Sequence, residues 1–161
     1  MNMADGGNRK FILVEMGDYA DTITAERVKR VINGYGEGKS SVPGLPGDFS
    51  FYELGAPLFH GELLNEDVGV EKIREYVFFT ETRQRIQPSD EPYYLGSHVG
   101  NAYYFFYERD KVTTLDQDFL NSIRVRAEHY VVYADLCVLT DEELNACRMT
   151  FKKIPRDITR L

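Results

Sequence analysis

From residue 113 onward the chain alternates between helix-like and strand-like runs, and that alternation leaves few architectures open. A helix over 115–127, a strand over 130–134, a short helix over 141–147 and a strand over 149–154 predict strands joined by helical crossovers, hence a parallel sheet. Both helices open with a capping-box pattern, Thr114-x-x-Gln117 and Thr140-x-x-Glu143. Each such cap stabilises by about 1 kcal/mol, and Pro155 stops the last strand. Upstream, Tyr93-Tyr-Leu95 and Ala102-Tyr-Tyr-Phe-Phe-Tyr107 flank Gly96-Ser-His-Val-Gly-Asn101 as the arms of a hairpin do. The aromatic arm reads as a strand burying alternate rings. A helix over 67–83 sets Val70, Ile73, Tyr76, Val77 and Thr80 on one face, and Phe78 and Phe79 widen the apolar sector enough to predict cover on two sides. Residues 55–161 therefore read as an α/β domain with a mixed, partly parallel sheet.

The first 54 residues read as strand, helix, strand. Phe11-Ile-Leu-Val14 is a continuous apolar run, the pattern of a parallel strand buried on both faces. Thr24 is placed to cap a helix whose apolar positions Ala25, Val28, Val31, Ile32 and Tyr35 follow the 3.6-residue period, with Gly34 and Gly36 ending it. Residues 34–47 hold five glycines and two prolines, through which neither helix nor ladder continues. Phe49-Ser-Phe-Tyr-Glu53 then reads as a second strand, closed by Gly55-Ala-Pro57.

Composition narrows the class. With 43% hydrophobic and 28% charged residues in 161, the chain fits a folded domain and excludes disorder, collagen and coiled coil. No apolar run approaches the roughly 20 residues of a membrane span, and residues 1–8 lack a secretory pattern, so a cytoplasmic protein is expected. Cys137 and Cys147 are too few for a disulfide scaffold and are expected to be buried thiols. A formal charge of −7 argues against a surface that grips a polyanion all round. Residues 148–161 differ, with five bases and one acid. Arg148, Lys152, Lys153, Arg156 and Arg160 are candidates to touch phosphate, against the ordinary reading of a solvated or partner-facing terminal strand.

Most motifs dissolve on inspection. Gly38-Lys39-Ser40 matches the tail of a phosphate loop, but the first glycine of that pattern falls on Asn33 and the segment follows a helix. Glu37-x-Lys39 matches part of a nuclease core but sits in the glycine-rich loop rather than on a strand. His60, His98 and His129 lack ligand spacing, so no metal site is expected. No Gly-x-Ser-x-Gly elbow occurs, and Ser97 belongs to the predicted hairpin turn. Glu15 is more informative: it ends an apolar strand just before a glycine and a helix, where nucleotide-binding α/β folds place the acid that meets ribose hydroxyls. Many α/β strands also end simply in a surface acid.

The stretch Asp5-Gly-Gly-Asn-Arg-Lys-Phe-Ile-Leu-Val-Glu-Met-Gly-Asp-Tyr-Ala-Asp-Thr-Ile-Thr24, with Arg27-Val-Lys-Arg-Val-Ile32, resembles adenine-specific DNA methyltransferases, and more closely the modification subunit of Type III restriction systems. The resemblance runs on through Gly47-Asp-Phe-Ser-Phe-Tyr-Glu-Leu-Gly55, Tyr76-Val-Phe-Phe-Thr-Glu-Thr82, Tyr94-Leu-Gly96 and Ala102-Tyr-Tyr-Phe-Phe-Tyr-Glu108. It also takes in Thr113-Thr-Leu-Asp116, Tyr130-Val-Val-Tyr-Ala-Asp135 and Phe151-Lys-Lys-Ile-Pro-Arg-Asp-Ile158. It implies that residues 1–54 are the tail of a Rossmann-like methyltransferase sheet and residues 55–161 an accessory C-terminal α/β domain. It further implies that Glu15 meets the ribose of S-adenosylmethionine. The family's Phe-x-Gly-x-Gly cofactor loop and Asp-Pro-Pro-Tyr tetrad are absent, and the tetrad is the pocket that receives a flipped adenine. A chain of this family without them is a C-terminal portion with no catalytic residue of its own. DNA is then a partner through the parent enzyme, and a restriction subunit or a second copy is a partner of the C-terminal domain. The alternative is an α/β interaction module, for dimerisation or subunit docking, that binds no cofactor. Cytosine-C5 chemistry is excluded because neither cysteine follows a proline.

Overall fold

The computed structural model describes Gly6, Gly7 and residues 9–160, and divides them into two compact units, Met1–Leu54 and Gly55–Leu161. Met1–Asp5, Asn8 and Leu161 lie outside the described residues, so Asp5 and Asn8 of the family resemblance fall there too.

In the first unit, a six-residue π-helical stretch, Ala20–Ala25, runs directly into α1, Glu26–Asn33. Thr24 therefore lies inside a helical run and caps nothing, because the turn starts earlier, after Tyr19. Gly34 ends the helix at φ 84°, and a Cβ there would meet the Val42 carbonyl oxygen at 2.7 Å. The Gly/Pro segment does form a ladder, a short one: β1, Gly34–Tyr35, pairs antiparallel with β2, Val42–Pro43, around a 3-10 turn at Gly38–Ser40. The two expected strands are not strands. Phe11, Ile12, Leu13 and Val14 are extended coil with 60–89% of their surface exposed, and the 49–53 segment is coil too, with Tyr52 83% exposed. The physical reason is the absence of neighbours: a strand buried on both faces needs a ladder on its edges and layers above and below. Among the described residues of this unit only Ala25 is buried.

The second unit supplies what the first lacks. Two short strands, β3 (Phe59–His60) and β4 (Leu63–Leu64), pair antiparallel around Gly61 and lead into α2, Val70–Thr82. Then β5 (Tyr94–His98) and β6 (Asn101–Phe105) form a hairpin. Its two-residue turn, Val99-Gly100, has φ 47° and 78°, the left-handed values of a type I′ turn. β7 (Thr114–Leu115), α3 (Gln117–Ser122) and β8 (His129–Ala134) follow. The chain ends in β9 (Leu136–Cys137), α4 (Asp141–Ala146), β10 (Met149–Lys153) and a 3-10 turn at Ile158–Arg160. The main sheet has the order β10-β8-β6-β5, parallel at both β10/β8 and β8/β6 and antiparallel at β6/β5, so the domain is mixed α/β with a partly parallel four-stranded sheet. β7 and β9 make a separate parallel pair.

Period-two alternation sorts the core into two layers. Tyr103, Phe105 and Val131 face Leu64, Ile73 and Phe78, while Ala102, Tyr104, Val132 and Ala134 face Leu115, Phe119 and Met149. Since both faces of β6 are covered, Tyr103, Tyr104 and Phe105 are all at most 5% exposed, and the strand buries every ring rather than alternate ones. Gly96, at φ 145°, admits the Phe78 ring; a Cβ there would lie 2.6 Å from it.

Three further expectations are corrected. The helix over 115–127 shrinks to Gln117–Ser122, because Asp116 takes the N-cap role, its carboxylate accepting from the Phe119 amide at 2.9 Å, while Thr114 joins β7. α2 is covered on one side only: Ile73, Phe78 and Thr82 are buried, whereas Tyr76 and Phe79 are exposed. Cys147 is exposed at the end of α4, and Cys137 is half-buried. The capping box at α4 is formed as expected, with the Glu143 amide donating to Thr140 Oγ1 at 3.2 Å and the Thr140 amide to Glu143 Oε2 at 2.8 Å.

Candidate functional site

Glu15 sits on exposed coil in the first unit. Its Oε1 accepts from the amides of Met16 at 3.0 Å and Gly17 at 3.2 Å, closing a small turn that leads into the π-helical stretch. Tyr19 hydrogen-bonds to the same carboxylate, which raises the phenol above its ordinary range. The carboxylate is therefore tied to the turn that follows it and is otherwise exposed, and the run before it is coil where the nucleotide-fold pattern has a strand. Neither of the two clefts described below includes it.

The basic tail does not act as one patch. Arg148 is exposed, in the left-handed turn (φ 51°) between α4 and β10, and Lys153 is exposed at the end of β10. Lys152 is paired with Glu81 at 2.6 Å. The Arg160 side chain lies outside the described part of the structure. Arg156 is corrected outright as a phosphate contact, for its side chain is fully buried and all five of its N–H groups are used. Its Nε and Nη2 grip Asp135 at 2.7 and 2.6 Å, and Nη1 meets Glu66 at 2.8 Å and the Arg109 carbonyl at 3.0 Å. Nη2 also donates to the Lys111 carbonyl at 2.5 Å. The guanidinium lies over the Tyr107 ring, 4.6 Å from its centroid, and the Tyr107 hydroxyl donates to Glu66 at 2.8 Å.

Asp135 completes this knot. It follows β8, is wholly buried, and accepts from the Thr113 amide at 2.8 Å and hydroxyl at 3.0 Å. Burial alone would raise its carboxyl, but the bonds from Arg156 and Thr113 outweigh that and hold it below the usual carboxylate range. Burial followed by the Glu66 hydrogen bond pushes Tyr107 up to about 12. The crevice outside the carboxyl end of β8, where an open α/β sheet receives ligands, is thus filled by an internal side chain. Sequence reasoning missed Asp135, although Tyr130-Val-Val-Tyr-Ala-Asp135 carries the same signal that singled out Glu15, an acid closing an apolar strand.

The second unit also carries two clefts. One, of about 300 Å³, is apolar and runs between α2 and the end of β10 over Phe105 and Tyr133. At its rim Glu81 Oε1 accepts from Tyr133 at 2.5 Å as well as from Lys152. Burial tends to raise the Glu81 carboxyl, but these two donors lower it on balance, and burial and Glu81 together raise Tyr133. The second, of about 530 Å³, has charged side chains in its lining, with Arg74, Glu108, Arg109, Asp110 and Lys111 beside Val70, Pro92, Tyr93 and Tyr107. The Tyr93 hydroxyl donates to Glu108 at 2.5 Å and is raised to about 12 by that bond and by burial. Among the described residues, no His/Cys/Asp/Glu group could hold a metal ion, and no helix is long and apolar enough to cross a membrane. No protein-family model, curated protein or solved structure matches the chain.

Proposed function

We infer that this chain is the C-terminal portion of an adenine-specific DNA methyltransferase of a restriction-modification system. Its first 54 residues would complete a Rossmann-like, cofactor-binding sheet, and its second unit would be the accessory domain that meets a restriction subunit or another copy. One observation carries the reading: Phe11–Val14, a sequence made for a buried parallel strand, lies bare on coil and ends in an oriented acid, glycine and helix. A strand-like sequence left as coil, leading to an exposed acid, is what a fragment of such an enzyme would retain. The fit with S-adenosylmethionine is incomplete. Glu15 alone is suited to a ribose hydroxyl, and the second unit's one buried strand-end acid is committed to Arg156. The chain therefore does not hold the cofactor by itself, and no methyl-transfer step is assigned to its residues.

The test is to read the coding DNA upstream of the Met1 codon and to express the polypeptide it encodes together with this chain. A Phe-x-Gly-x-Gly loop and an Asp-Pro-Pro-Tyr tetrad upstream, with labelled methyl groups passing to adenine in duplex DNA, are expected. An upstream region without either motif contradicts the reading. The interaction-module alternative is favoured by the same bare apolar runs, Phe11–Val14 and the exposed Tyr52 and Leu54, which invite a covering partner. Sedimentation of the pure chain separates the two, since self-association that buries these runs without any upstream polypeptide supports the module.

A further inference from the structure

β10 is an edge strand, the end member of the four-stranded sheet. In its ladder with β8, the Tyr130 amide donates to the Arg148 carbonyl and the Ile154 amide to the Ala134 carbonyl, both at 2.9 Å. These bonds fix which peptide groups face inward: those of Thr150 and Lys152 turn to β8, so those of Phe151 and Lys153 turn away from it. The outward groups of Phe151 and Lys153 have no hydrogen-bond partner among the described residues. An edge of this kind templates the addition of another extended chain.

Beside this edge lies the apolar cleft of about 300 Å³, lined by Phe59, Ile73, Tyr76, Val77, Tyr133 and Ile154 among others. It lies where α2, which packs most closely on β5 and β6, reaches across to β8 and β10 through Glu81, whose carboxylate accepts from Tyr133 and Lys152. Its volume is at the lower limit for small-molecule sites, which suits one or two apolar side chains. A strand added to β10 would turn every second side chain onto this face.

Charge selects the occupant. Lys152 is neutralised by Glu81, but Arg148 and Lys153 have no ion-pair partner among the described residues. Two copies of β10 laid edge to edge would bring these cations together, which opposes self-pairing. We propose that the free edge of β10 and the cleft beside it take an acidic, extended segment of a different polypeptide as a fifth strand, with one large apolar side chain seated in the cleft.

The experiment uses the full chain and three fluorescein-labelled decapeptides in which glutamates alternate with valines around a central Phe, Leu or Ile. Matching peptides carry lysine in place of glutamate. Anisotropy titrations should give at least one acidic probe a dissociation constant tighter than about 1 mM, weakening with salt, and the lysine probes about tenfold weaker. Amide shifts on binding should centre on Met149–Lys153. Lys153→Pro removes an outward N–H and spares the β8 ladder, whereas Lys153→Gln removes the charge alone; the proline variant should bind about tenfold more weakly and the glutamine variant about threefold. Thr80→Trp, at the exposed rim of the cleft, should also weaken binding about tenfold and keeps the test open should the proline variant misfold. The proposal is overturned by three silent acidic probes, by equal affinity for lysine probes, by shifts elsewhere in the chain, or by a DNA duplex that displaces the peptide from β10.

Discussion

Arg156 shows how one residue can be read two ways until its partners are known. In sequence it is a base in a basic tail; in the structure its buried guanidinium ties β8's end, the β6–β7 connection and the β4–α2 connection into one point. Asp135→Ala removes two of the buried guanidinium's five acceptors, leaving Glu66 as its remaining carboxylate, and orphans the buried Thr113 amide, so urea unfolding should show a loss of about 3–5 kcal/mol. Removing both charges, as Asp135→Leu with Arg156→Met, should not restore the wild-type midpoint, because the buried Thr113 amide and the Arg109 and Lys111 carbonyls then lose their partners. The same groups set the pH range. Asp135 and Glu81 have carboxyls lowered in the fold, so the stability they contribute is present above the unfolded values of about 3.9 and 4.3 and is lost as pH falls through the folded ones. Tyr104, Tyr107 and Tyr133 are raised, chiefly by burial, so their contribution is intact below about pH 10 and declines as pH climbs toward the folded values. Thermal melting across pH should therefore give a plateau that falls off at both ends. A melting temperature that keeps rising above pH 10 would contradict this sign.

At the scale of elements, the hairpin turn is the sharpest test. Val99 is a β-branched residue at φ 47°, 82% exposed, in a turn that favours Asn-Gly. Val99→Asn should stabilise by about 1 kcal/mol, read as a higher urea midpoint with an unchanged slope. Gly96→Ala should do the reverse, losing about 1–3 kcal/mol, since the new methyl meets the Phe78 ring on α2. Elements with strong local signals were legible in the sequence: α2 by its apolar period, α4 by its capping box, β8 and β10 by their β-branched and aromatic runs. Elements decided by competition were not. Thr114 and Asp116 are both good caps, and the pairing of Thr114 with Leu136 in β7/β9 settled the choice, a long-range contact that no local pattern contains. Phe11–Val14 and 49–53 failed for the complementary reason: propensity was present and partners were not. Of the acids that close apolar runs, sequence singled out Glu15, which the structure leaves exposed on coil, and passed over Asp135, whose burial depends on Arg156 some twenty residues later.

For the whole molecule, the division at Leu54 separates a unit with one buried described residue from a unit that carries both core layers. A chain of residues 55–161 alone should unfold cooperatively with nearly the same urea midpoint as the full chain; a midpoint lowered substantially by loss of the first 54 residues contradicts that division of labour. Under the proposed reading, the first unit contributes the Glu15 carboxylate to a cofactor pocket completed by other sequence. Calorimetric titration with S-adenosylmethionine tests this directly. The chain alone should show no saturable binding below about 1 mM, while addition of the upstream polypeptide should restore it, and Glu15→Ala should abolish the restored signal. Saturable binding by the chain alone, unchanged in Glu15→Ala, would contradict the account.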